Sequence, residues 1–345
     1  MSTASAQDSV WPTGTTSGKL SRDHAAAYLE RINLPTSLLD SPPSLDLLRQ
    51  LQPAHMLAVP FESLSVHVPD WSDLDAEIFL GGGETVHLGA GAYRRIVELR
   101  RGGYCFSLNS TFAAFLRYFG FRVSECAARV NGKQRQDPEE VGYEWQATSH
   151  QVSIVDWQGS DERFLVDIGF GRSCAYPIPL RDGASMTSIP SAELFQIRQT
   201  PRLPGAPSDL LPDSHPFWTV WTRCTSPTGA AYFSPLYSFL LQSVPYTDFI
   251  SFNHYQSTHP AATFRTFFVA TLLHANGERS TLQYRDGLVD DDGKKAAKFT
   301  RTAAPVEGKR EDVLEKRWVE MRVGKVRAVL ESEFGMTFPS EYSGN

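Results

Sequence analysis

A cysteine in the first half of the chain lies where a helix is predicted to begin. Cys105 follows Gly102 and Gly103 and precedes residues 107–119, whose apolar side chains recur at helical spacing. The start of a helix exposes unpaired backbone N–H groups and the positive end of the helix dipole, and both favour a thiolate. Cys105 is therefore a candidate nucleophile, but from its position alone a small buried thiol in the core is the more common explanation.

A nucleophilic cysteine needs a base, and that base needs a group that orients it. His150 lies at the head of a predicted strand over residues 151–157, and Asp167 lies at the end of the next predicted strand, residues 163–168. An unpaired carboxylate in an apolar strand would be costly, so Asp167 requires a partner. Taken alone, Asp167 could support a turn and His150 could face water. Together with Cys105, they predict a Cys-His-Asp triad.

The segment between these two strands, Gln158-Gly159-Ser160-Asp161, is typical of a tight turn and predicts a hairpin. A turn centred on Gln158-Gly159 would place His150 directly opposite Asp167, with Cβ atoms about 5 Å apart. A turn centred on Gly159-Ser160 would make the pair diagonal on one face, with Cβ atoms about 7–8 Å apart. Both registers allow contact, but a turn of odd length would give other registers, so the sequence is consistent with the triad without proving it.

Composition and charge exclude several classes of protein. The chain has 345 residues, of which 41% are hydrophobic, and its net charge is −6 without a basic block. This argues against a protein that binds nucleic acid by neutralising phosphates. No apolar run reaches the length of a membrane span, and Met1 to Gln7 are polar, so we expect a short disordered lead-in rather than a secretory signal.

The cysteine and histidine patterns do not predict a metal site. The four cysteines form no Cys-x-x-Cys pair, and without a secretion signal they predict reduced thiols in the cytoplasm. His254 and His259 have no third ligand nearby in the sequence. We therefore expect no metal and no tightly bound cofactor, and nothing implies an obligate protein partner.

The order of predicted elements indicates an α+β protein of about three lobes. Ser21 and Ser44 are placed to cap the first two helices of a mainly helical N-terminal region. Residues 181–216, rich in Pro, Ser and Asp, predict a long surface connection, and residues 310–333 predict a charged amphipathic helix. The predicted strands cover residues 121–130, 151–157, 163–168, 217–223, 231–241 and 264–274.

Several motifs, in this order, resemble those of the arylamine N-acetyltransferase family. The resemblance extends from about Tyr28 to Pro339. Its motifs are Tyr28-Leu29-Glu30-Arg31-Ile32, Val59-Pro60-Phe61-Glu62-Ser63-Leu64, Arg101-Gly102-Gly103-Tyr104-Cys105-Phe106, Ser149-His150, Val166-Asp167-Ile168-Gly169-Phe170-Gly171-Arg172-Ser173 and, less closely, Asn253-His254-Tyr255-Gln256-Ser257-Thr258-His259-Pro260.

The resemblance implies a fold, a triad and a reaction. The fold would be an N-terminal helical bundle (residues 1–98), a β-barrel domain with the triad and the long connection (99–216) and a C-terminal α/β lid (217–345). The triad between the lobes would be Cys105, His150 and Asp167. The reaction would be ping-pong transfer of an acetyl group from acetyl-CoA to an arylamine, arylhydroxylamine or arylhydrazine, with xenobiotic detoxification as the expected role.

The resemblance also implies roles for residues around the triad. Glu62 and Arg101 would form a pair that ties the helical lobe to the cysteine loop, and Asn109 would support the triad from one turn beyond Cys105. Two further segments would face the substrates. The segment after Asp167 would line the pocket through Phe170, Arg172 and Cys174, and a polar turn would face coenzyme A through Ser257, Thr258 and His259.

The sequence departs from the family pattern at two positions and leaves alternatives open. Ser63 stands where many members have Asn, and Ser107 where many have Glu or Gln, so the hydrogen bonds around the triad are in question. Propionyl- or malonyl-CoA could replace acetyl-CoA, and Arg172 is one candidate partner for a malonyl carboxylate. A papain-like or transglutaminase-like cysteine hydrolase uses the same residue types in the same order. A catalytically silent binding protein is the remaining alternative.

Overall fold

The computed structural model describes residues 11–12, 15–189, 192–209, 215–306, 309 and 311–339. The predicted lead-in, Met1 to Gln7, lies outside these residues. Eight α-helices occur in the described part of the chain. They are α1 (Arg22–Arg31), α2 (Leu45–Ala58), α3 (Ala90–Tyr93), α4 (Cys105–Tyr118), α5 (Pro138–Val141), α6 (Tyr246–Thr258), α7 (Thr263–Thr266) and α8 (Val323–Phe334).

The strands form two antiparallel sheets. In chain order they are β1 (Phe61–Glu62), β2 (Arg122–Asn131), β3 (Trp145–Asp156), β4 (Phe164–Val166), β5 (Ile178–Pro179), β6 (Ser185–Thr187), β7 (Leu194–Thr200), β8 (Phe217–Thr225), β9 (Ala231–Ser243), β10 (Phe267–Leu273), β11 (Arg279–Arg285), β12 (Ala296–Thr302) and β13 (Val313–Glu320). The larger sheet has the order β5-β4-β3-β2-β9-β8-β7-β6, and its outer strands β5 and β6 approach each other, so it is nearly closed into a barrel. The smaller sheet has the order β1-β10-β11-β12-β13.

The predicted N-terminal helices are confirmed with their caps. The side chain of Ser21 accepts a hydrogen bond from the backbone N–H of His24 at the start of α1, and Ser44 does the same for Leu47 at the start of α2. These contacts satisfy backbone donors that the first turn of a helix leaves unpaired. The predicted helix over residues 107–119 is confirmed as α4, which begins at Cys105 itself.

The predicted helix over residues 310–333 is wrong in its first half. Residues 313–320 form the edge strand β13, which pairs with β12, and the helix α8 begins only at Val323. Short amphipathic segments satisfy both a helical and a strand pattern, and pairing with a neighbouring strand decides between them. Arg310 lies outside the described residues.

The predicted surface connection over residues 181–216 is also wrong in part. It contains β6 and β7, and β7 pairs with β8 inside the larger sheet. Phe195 and Ile197 of β7 are buried in the core of that sheet. Their alternation with polar residues is a strand signal that the surrounding Pro and Ser residues obscured.

The two sheets and α4 meet at the cysteine loop. Gly103, two residues before α4, forms a bridge with Phe61 of β1, and the backbone N–H of Glu62 donates to its carbonyl at 2.8 Å. Because β1 pairs with β10, this bridge connects the smaller sheet to the start of α4. The domain divisions at residues 98 and 216 remain predictions. Strands β8 and β9, which follow residue 216, belong to the larger sheet.

Candidate active site

Cys105 is the first residue of α4 and is almost completely enclosed. Its side chain is 2% exposed. The preceding residue, Tyr104, makes no side-chain hydrogen bond to the first turn of the helix. The Sγ atom of Cys105 donates to the carbonyl oxygen of Ser149 at 3.5 Å. The sulfur is thereby held beside the strand that carries His150.

His150 and Asp167 are in direct contact. The Nε2 atom of His150 lies 2.8 Å from the Oδ2 atom of Asp167, and both side chains are buried. In the hairpin of β3 and β4, Ser153 lies opposite Val166. This is the second of the two predicted registers, in which His150 and Asp167 are diagonal neighbours on one face.

The carboxylate of Asp167 accepts several hydrogen bonds. Its Oδ1 atom accepts from Asn109 Nδ2 at 3.0 Å and from the backbone N–H of Gly169 at 2.9 Å. Burial alone would raise the pKa of Asp167, but the charge of His150 and these hydrogen bonds outweigh it, so the pKa is held below its ordinary value. The carboxylate is therefore ionised at neutral pH.

Asn109 connects α4 to both strands of the hairpin. Its Nδ2 atom also donates to the carbonyl of Gln151 at 2.6 Å, and its Oδ1 atom accepts from the backbone N–H of Ile168 at 3.0 Å. These bonds use both ends of the amide, so its orientation is fixed. Asn109 lies one turn beyond Cys105, where the sequence comparison with the family predicted a supporting residue.

The pKa of the Cys105 thiol is raised, contrary to the expectation from its position at a helix start. Burial is the main cause, and the negative charge of Asp167 acts in the same direction. Backbone hydrogen bonds from Gln151, Phe106 and Cys105 itself lower the pKa but do not compensate. In this enclosed state the sulfur holds its proton.

Gly169 allows the loop after Asp167 to approach the cysteine. A Cβ atom at Gly169 would lie 2.7 Å from the Cα atom of Cys105 and from Asn109 Nδ2. Real Cβ atoms do not come this close to a backbone atom, so only glycine fits without a shift.

Ser107 is one of the two departures from the family pattern. Its hydroxyl donates a hydrogen bond to the carbonyl of Tyr104 at 3.0 Å.

Cys105 and His150 open into a cavity of about 450 Å³ between the two sheets. The cavity is lined by aromatic and small residues with a few polar groups. They are Phe61, Cys105, Val130, Gly132, Gln134, Gln146, Ser149, His150, Gly169, Phe170, Gly171, Arg172, Gln256, Thr263, Phe264, Phe267, Val269, Thr271, Arg279 and Thr281. We call this space the catalytic cavity below.

Two of the three predicted pocket residues after Asp167 line this cavity. The ring of Phe170 packs edge-on against that of His150, with centroids 5.2 Å apart. Arg172 also lines the cavity, but its guanidinium is bound to Glu193 and Glu311. Cys174 is not among the described residues that line the cavity, because its thiol is buried in the core of the larger sheet.

The predicted polar turn at residues 257–259 is the end of α6. Ser257 is buried and shares a hydrogen bond of 2.9 Å with the hydroxyl of Tyr104. Thr258 is half-buried and His259 is exposed, and His259 stacks on Tyr255. Of the described residues in this region, Gln256 rather than these three reaches the catalytic cavity.

Glu62 and Arg101 are both buried beside the cysteine loop. The Oε2 atom of Glu62 accepts from the backbone N–H of Leu64 at 2.7 Å. The guanidinium of Arg101 lies 5.1 Å from the ring centroids of both Trp71 and Phe338, a cation–π geometry. The pairing of Glu62 with Arg101 stays a prediction.

Two residues at the site were missed by sequence reasoning. Tyr237 of β9 contacts the ring of His150, with centroids 4.9 Å apart, and burial together with the nearby carboxylate of Asp167 raises the pKa of its hydroxyl. Arg279, at the start of β11, lines the catalytic cavity. Tyr237 falls within a predicted strand, but nothing local distinguishes it from a core tyrosine, since its partner is 70 residues away in the sequence. The strand that carries Arg279 was itself not predicted.

The described part of the chain holds no group of three His, Cys, Asp or Glu side chains arranged to bind a metal ion. Nor does it hold a helix long and apolar enough to cross a membrane.

Comparison with known sequences gives the family. The N-acetyltransferase family model matches residues 44–323. An arylamine N-acetyltransferase of Mycolicibacterium smegmatis is 30% identical over 243 residues, which are 69% of this chain and 72% of the relative. An N-malonyltransferase of Fusarium pseudograminearum is 25% identical over 273 residues, 74% of this chain and 75% of the relative.

Solved structures give the same fold. An arylamine N-acetyltransferase from Salmonella typhimurium superposes with a TM-score of 0.63 at 22% identity, covering 92% of this chain and 95% of that chain. The Mycobacterium marinum enzyme, solved in complex with CoA, gives a TM-score of 0.60 at 23% identity and covers 90% and 92%. The expected α+β fold is confirmed.

The chain therefore belongs to the arylamine N-acetyltransferase family and is an acyl-CoA-dependent acyltransferase.

Proposed function

We propose that the protein transfers an acyl group from acyl-CoA to the nitrogen of an aromatic amine in two half-reactions, through an acyl-Cys105 intermediate. The observation that carries this proposal is the convergence of three groups on one cavity. Cys105 and His150 line it, and Asp167 binds His150 from behind at 2.8 Å. A nucleophile, a base and an orienting carboxylate in this order are what acyl transfer requires.

In the first half-reaction, Sγ of Cys105 attacks the thioester carbonyl of acyl-CoA while His150 takes the thiol proton. Burial raises the pKa of the thiol, so the attack depends on His150 as the acceptor of its proton. The bond to the coenzyme A sulfur then breaks, and His150 returns the proton to that leaving group. Backbone N–H groups at the start of α4 are candidate donors to the oxyanion.

In the second half-reaction, the aromatic amine attacks the acyl-cysteine and the cysteine sulfur leaves. An arylamine is unprotonated at neutral pH, because its lone pair is delocalised into the ring, so it enters the cavity ready to react. His150 takes the proton from the attacking nitrogen and passes it to the sulfur. Phe61, Phe170 and Phe264 supply apolar walls for the ring. Detoxification of foreign aromatic amines is the role that family membership supports.

Malonyl-CoA is a second candidate donor beside acetyl-CoA. It is favoured by the similarity to an N-malonyltransferase and by Arg279, which lines the catalytic cavity. A cysteine hydrolase would have no need of a CoA thioester, and no contact in the described cavity favours a peptide over an aromatic amine.

The proposal is tested by intact-mass spectrometry after mixing the protein with acetyl-, propionyl- or malonyl-CoA in separate reactions. We expect a mass increase of one acyl group on Cys105, which an added aromatic amine removes. The variant Cys105→Ala should show no adduct, whereas Cys174→Ala, which alters a buried thiol away from the cavity, should retain it. No adduct with any donor, or an adduct that persists in Cys105→Ala, would refute the acyl-cysteine mechanism.

A further inference from the structure

A cluster of charged side chains borders the catalytic cavity. Within the described residues it contains three guanidinium groups and two carboxylates. They are Arg135, Arg172, Arg279, Glu193 and Glu311. Arg172 and Arg279 line the catalytic cavity itself, and the cluster holds one more positive than negative charge.

Of the three arginines, Arg172 makes the closest contacts with the two carboxylates. Its Nε atom lies 2.7 Å from Glu193 Oε1, and its Nη1 atom lies 3.0 Å from Glu311 Oε2. Its Nη2 atom makes a further hydrogen bond to Glu311. All three nitrogens of this guanidinium therefore have carboxylate partners.

Arg135 also forms ion pairs with these carboxylates, but its charge needs them less. Its Nη2 atom lies 3.2 Å from Glu311 Oε1. Its side chain is 39% exposed, so water solvates the charge. Exposed ion pairs of this kind contribute little to stability.

Of the three arginines in the cluster, Arg279 has the weakest pairing with a carboxylate. Its side chain is 9% exposed, and its closest carboxylate oxygen in the cluster, Glu193 Oε2, lies 3.7 Å from Nη2, beyond hydrogen-bond distance. Its Nη1 atom donates to a neutral acceptor, the carbonyl of Gly171, at 2.8 Å. Burial and the charge of Arg172 lower the pKa of Arg279 to about 10, so it remains charged at neutral pH.

A buried charge is costly unless it is paired. The catalytic cavity that Arg279 lines is also lined by Thr271 and Thr281, whose hydroxyls carry no charge, and no Asp or Glu is among its described lining residues. An anionic group on a bound ligand would supply a hydrogen-bonded carboxylate, which the 3.7 Å ion pair with Glu193 does not. A carboxylate suits a guanidinium best, because two parallel N–H···O bonds can form.

We propose that Arg279 binds a carboxylate carried by a substrate in the catalytic cavity and thereby sets which substrates are preferred. This rests on the proposed function. The carboxylate has two possible sources in that reaction, the acyl group of a dicarboxylic acyl-CoA or the ring of a carboxylated arylamine. Arg172 is not the selecting residue, because its guanidinium is held by Glu193 and Glu311.

The experiment compares matched charged and neutral substrates in the unchanged protein and in Arg279→Gln. The donor pair is malonyl-CoA against propionyl-CoA with a neutral arylamine. The acceptor pair is 4-aminobenzoate against 4-aminobenzamide with a donor that forms the acyl-enzyme. We expect kcat/KM in the unchanged protein to favour the charged member of at least one pair about tenfold or more, and Arg279→Gln to lower that ratio about 10- to 100-fold.

Comparing ratios of kcat/KM cancels any loss of activity that the variant causes with the charged and the neutral substrate alike. Arg279→Lys, which keeps the charge but not the planar fork, should give an intermediate ratio. Arg285→Gln is the matched control, because Arg285 lies at the exposed end of the same strand. Its ratios should equal those of the unchanged protein.

The two pairs identify the source of the carboxylate. A ratio that falls only for the donor pair assigns it to the acyl group, and one that falls only for the acceptor pair assigns it to the arylamine. If the unchanged protein prefers the charged substrate in neither pair, or if Arg279→Gln leaves both ratios unaltered, the inference is overturned. Loss of the proposed function itself would appear differently, as the absence of any acyl adduct in the unchanged protein.

Discussion

His150 and Asp167 form a 2.8 Å contact across a hairpin in which they are not opposite each other. The imidazole crosses the hairpin diagonally, and the carboxylate is held from the other side by Asn109 and the backbone of Gly169. Because both of those donors bind Oδ1, only Oδ2 is left for the histidine. Nε2 of His150 therefore carries the proton that is donated to Asp167, and Nδ1 is left to accept a proton.

Asp167→Asn should abolish most transfer while preserving the fold. Asn109 and Gly169 both donate, so the new amide oxygen will take the place of Oδ1 and its NH₂ group will face His150. His150 must then accept at Nε2 and hold its proton on Nδ1, where it cannot receive the thiol proton. We expect the rate of acyl-Cys105 formation to fall about 10²- to 10⁴-fold.

The control for this variant is Asp156→Asn. Asp156 lies at the end of β3 and pairs with the exposed Arg122 near the surface. Stopped-flow acylation rates should be those of the unchanged protein, and circular dichroism should report the same fold for both variants. Near-normal acylation in Asp167→Asn would remove Asp167 from the mechanism.

The lowered pKa of Asp167 predicts how stability depends on pH. Its folded-state pKa lies below the unfolded value of about 3.9. A carboxyl group shifted in this direction stabilises the fold at pH values above its unfolded pKa, and the contribution is lost as pH falls through the folded pKa. The free energy of unfolding of the unchanged protein minus that of Asp167→Asn should therefore decrease as the pH falls below about pH 4.

Urea unfolding of both proteins between pH 3 and pH 8 measures this difference. Other carboxylates titrate in both proteins and cancel in the subtraction. A difference that grows on acidification would mean that burial dominates and that the pKa of Asp167 is raised.

Alkylation of Cys105 should depend on His150. Since burial raises the pKa of the thiol, the thiolate forms mainly when His150 accepts the proton. We expect His150→Gln to slow the reaction of Cys105 with iodoacetamide at pH 7.5 about tenfold or more. Peptide mass mapping gives the rate at each cysteine, with Cys174, buried in the core, as the internal reference. Equal rates at Cys105 in both proteins would show that the thiol is activated without the imidazole.

Much of the site could be predicted because its residues lie in short local motifs. A two-residue turn after residue 157 allows two registers that bring His150 near Asp167, and a turn of odd length would give others. The turn that forms is centred on Gln158-Gly159: Gly159 adopts a left-handed φ of 87°, and the backbone N–H of Ser160 donates to the carbonyl of Trp157. The strands nevertheless pair in the second register, because the loop continues to Arg163 before β4 begins at Phe164. The turn residues alone do not reveal the length of that loop.

The parts of the site and fold that could not be predicted depend on contacts between segments that are distant in the sequence. Arg279 reaches the cavity because β11 pairs with β10, and β10 in turn pairs with β1 beside the cysteine loop. No local pattern carries this chain of pairings. The prediction of a helix over residues 313–320 was wrong for the same reason. These residues form a strand that pairs with β12, and β12 was not predicted. The raised pKa of the Cys105 thiol also follows from burial by both sheets, which its position at a helix start could not reveal.

Gly169→Ala tests the close approach of the loop after Asp167 to the nucleophile. The new Cβ atom would lie 2.7 Å from the Cα atom of Cys105, and neither backbone can yield without moving the other. We expect a loss of stability of about 1–3 kcal/mol from overpacking. The same displacement shifts Asn109 and the carboxylate that it holds, so acylation should slow by more than the fraction of unfolded protein explains.

The control is Gly82→Ala, at a loop position where the closest atoms to the new Cβ are two backbone oxygens at 3.2 Å. It should change both stability and acylation much less. Thermal unfolding and the acylation rate, measured on the same preparations, separate the two effects. If Gly169→Ala acylates as fast as the unchanged protein, the loop can move away from Cys105 without cost, and the tight packing of Gly169 against the nucleophile has no part in positioning the triad.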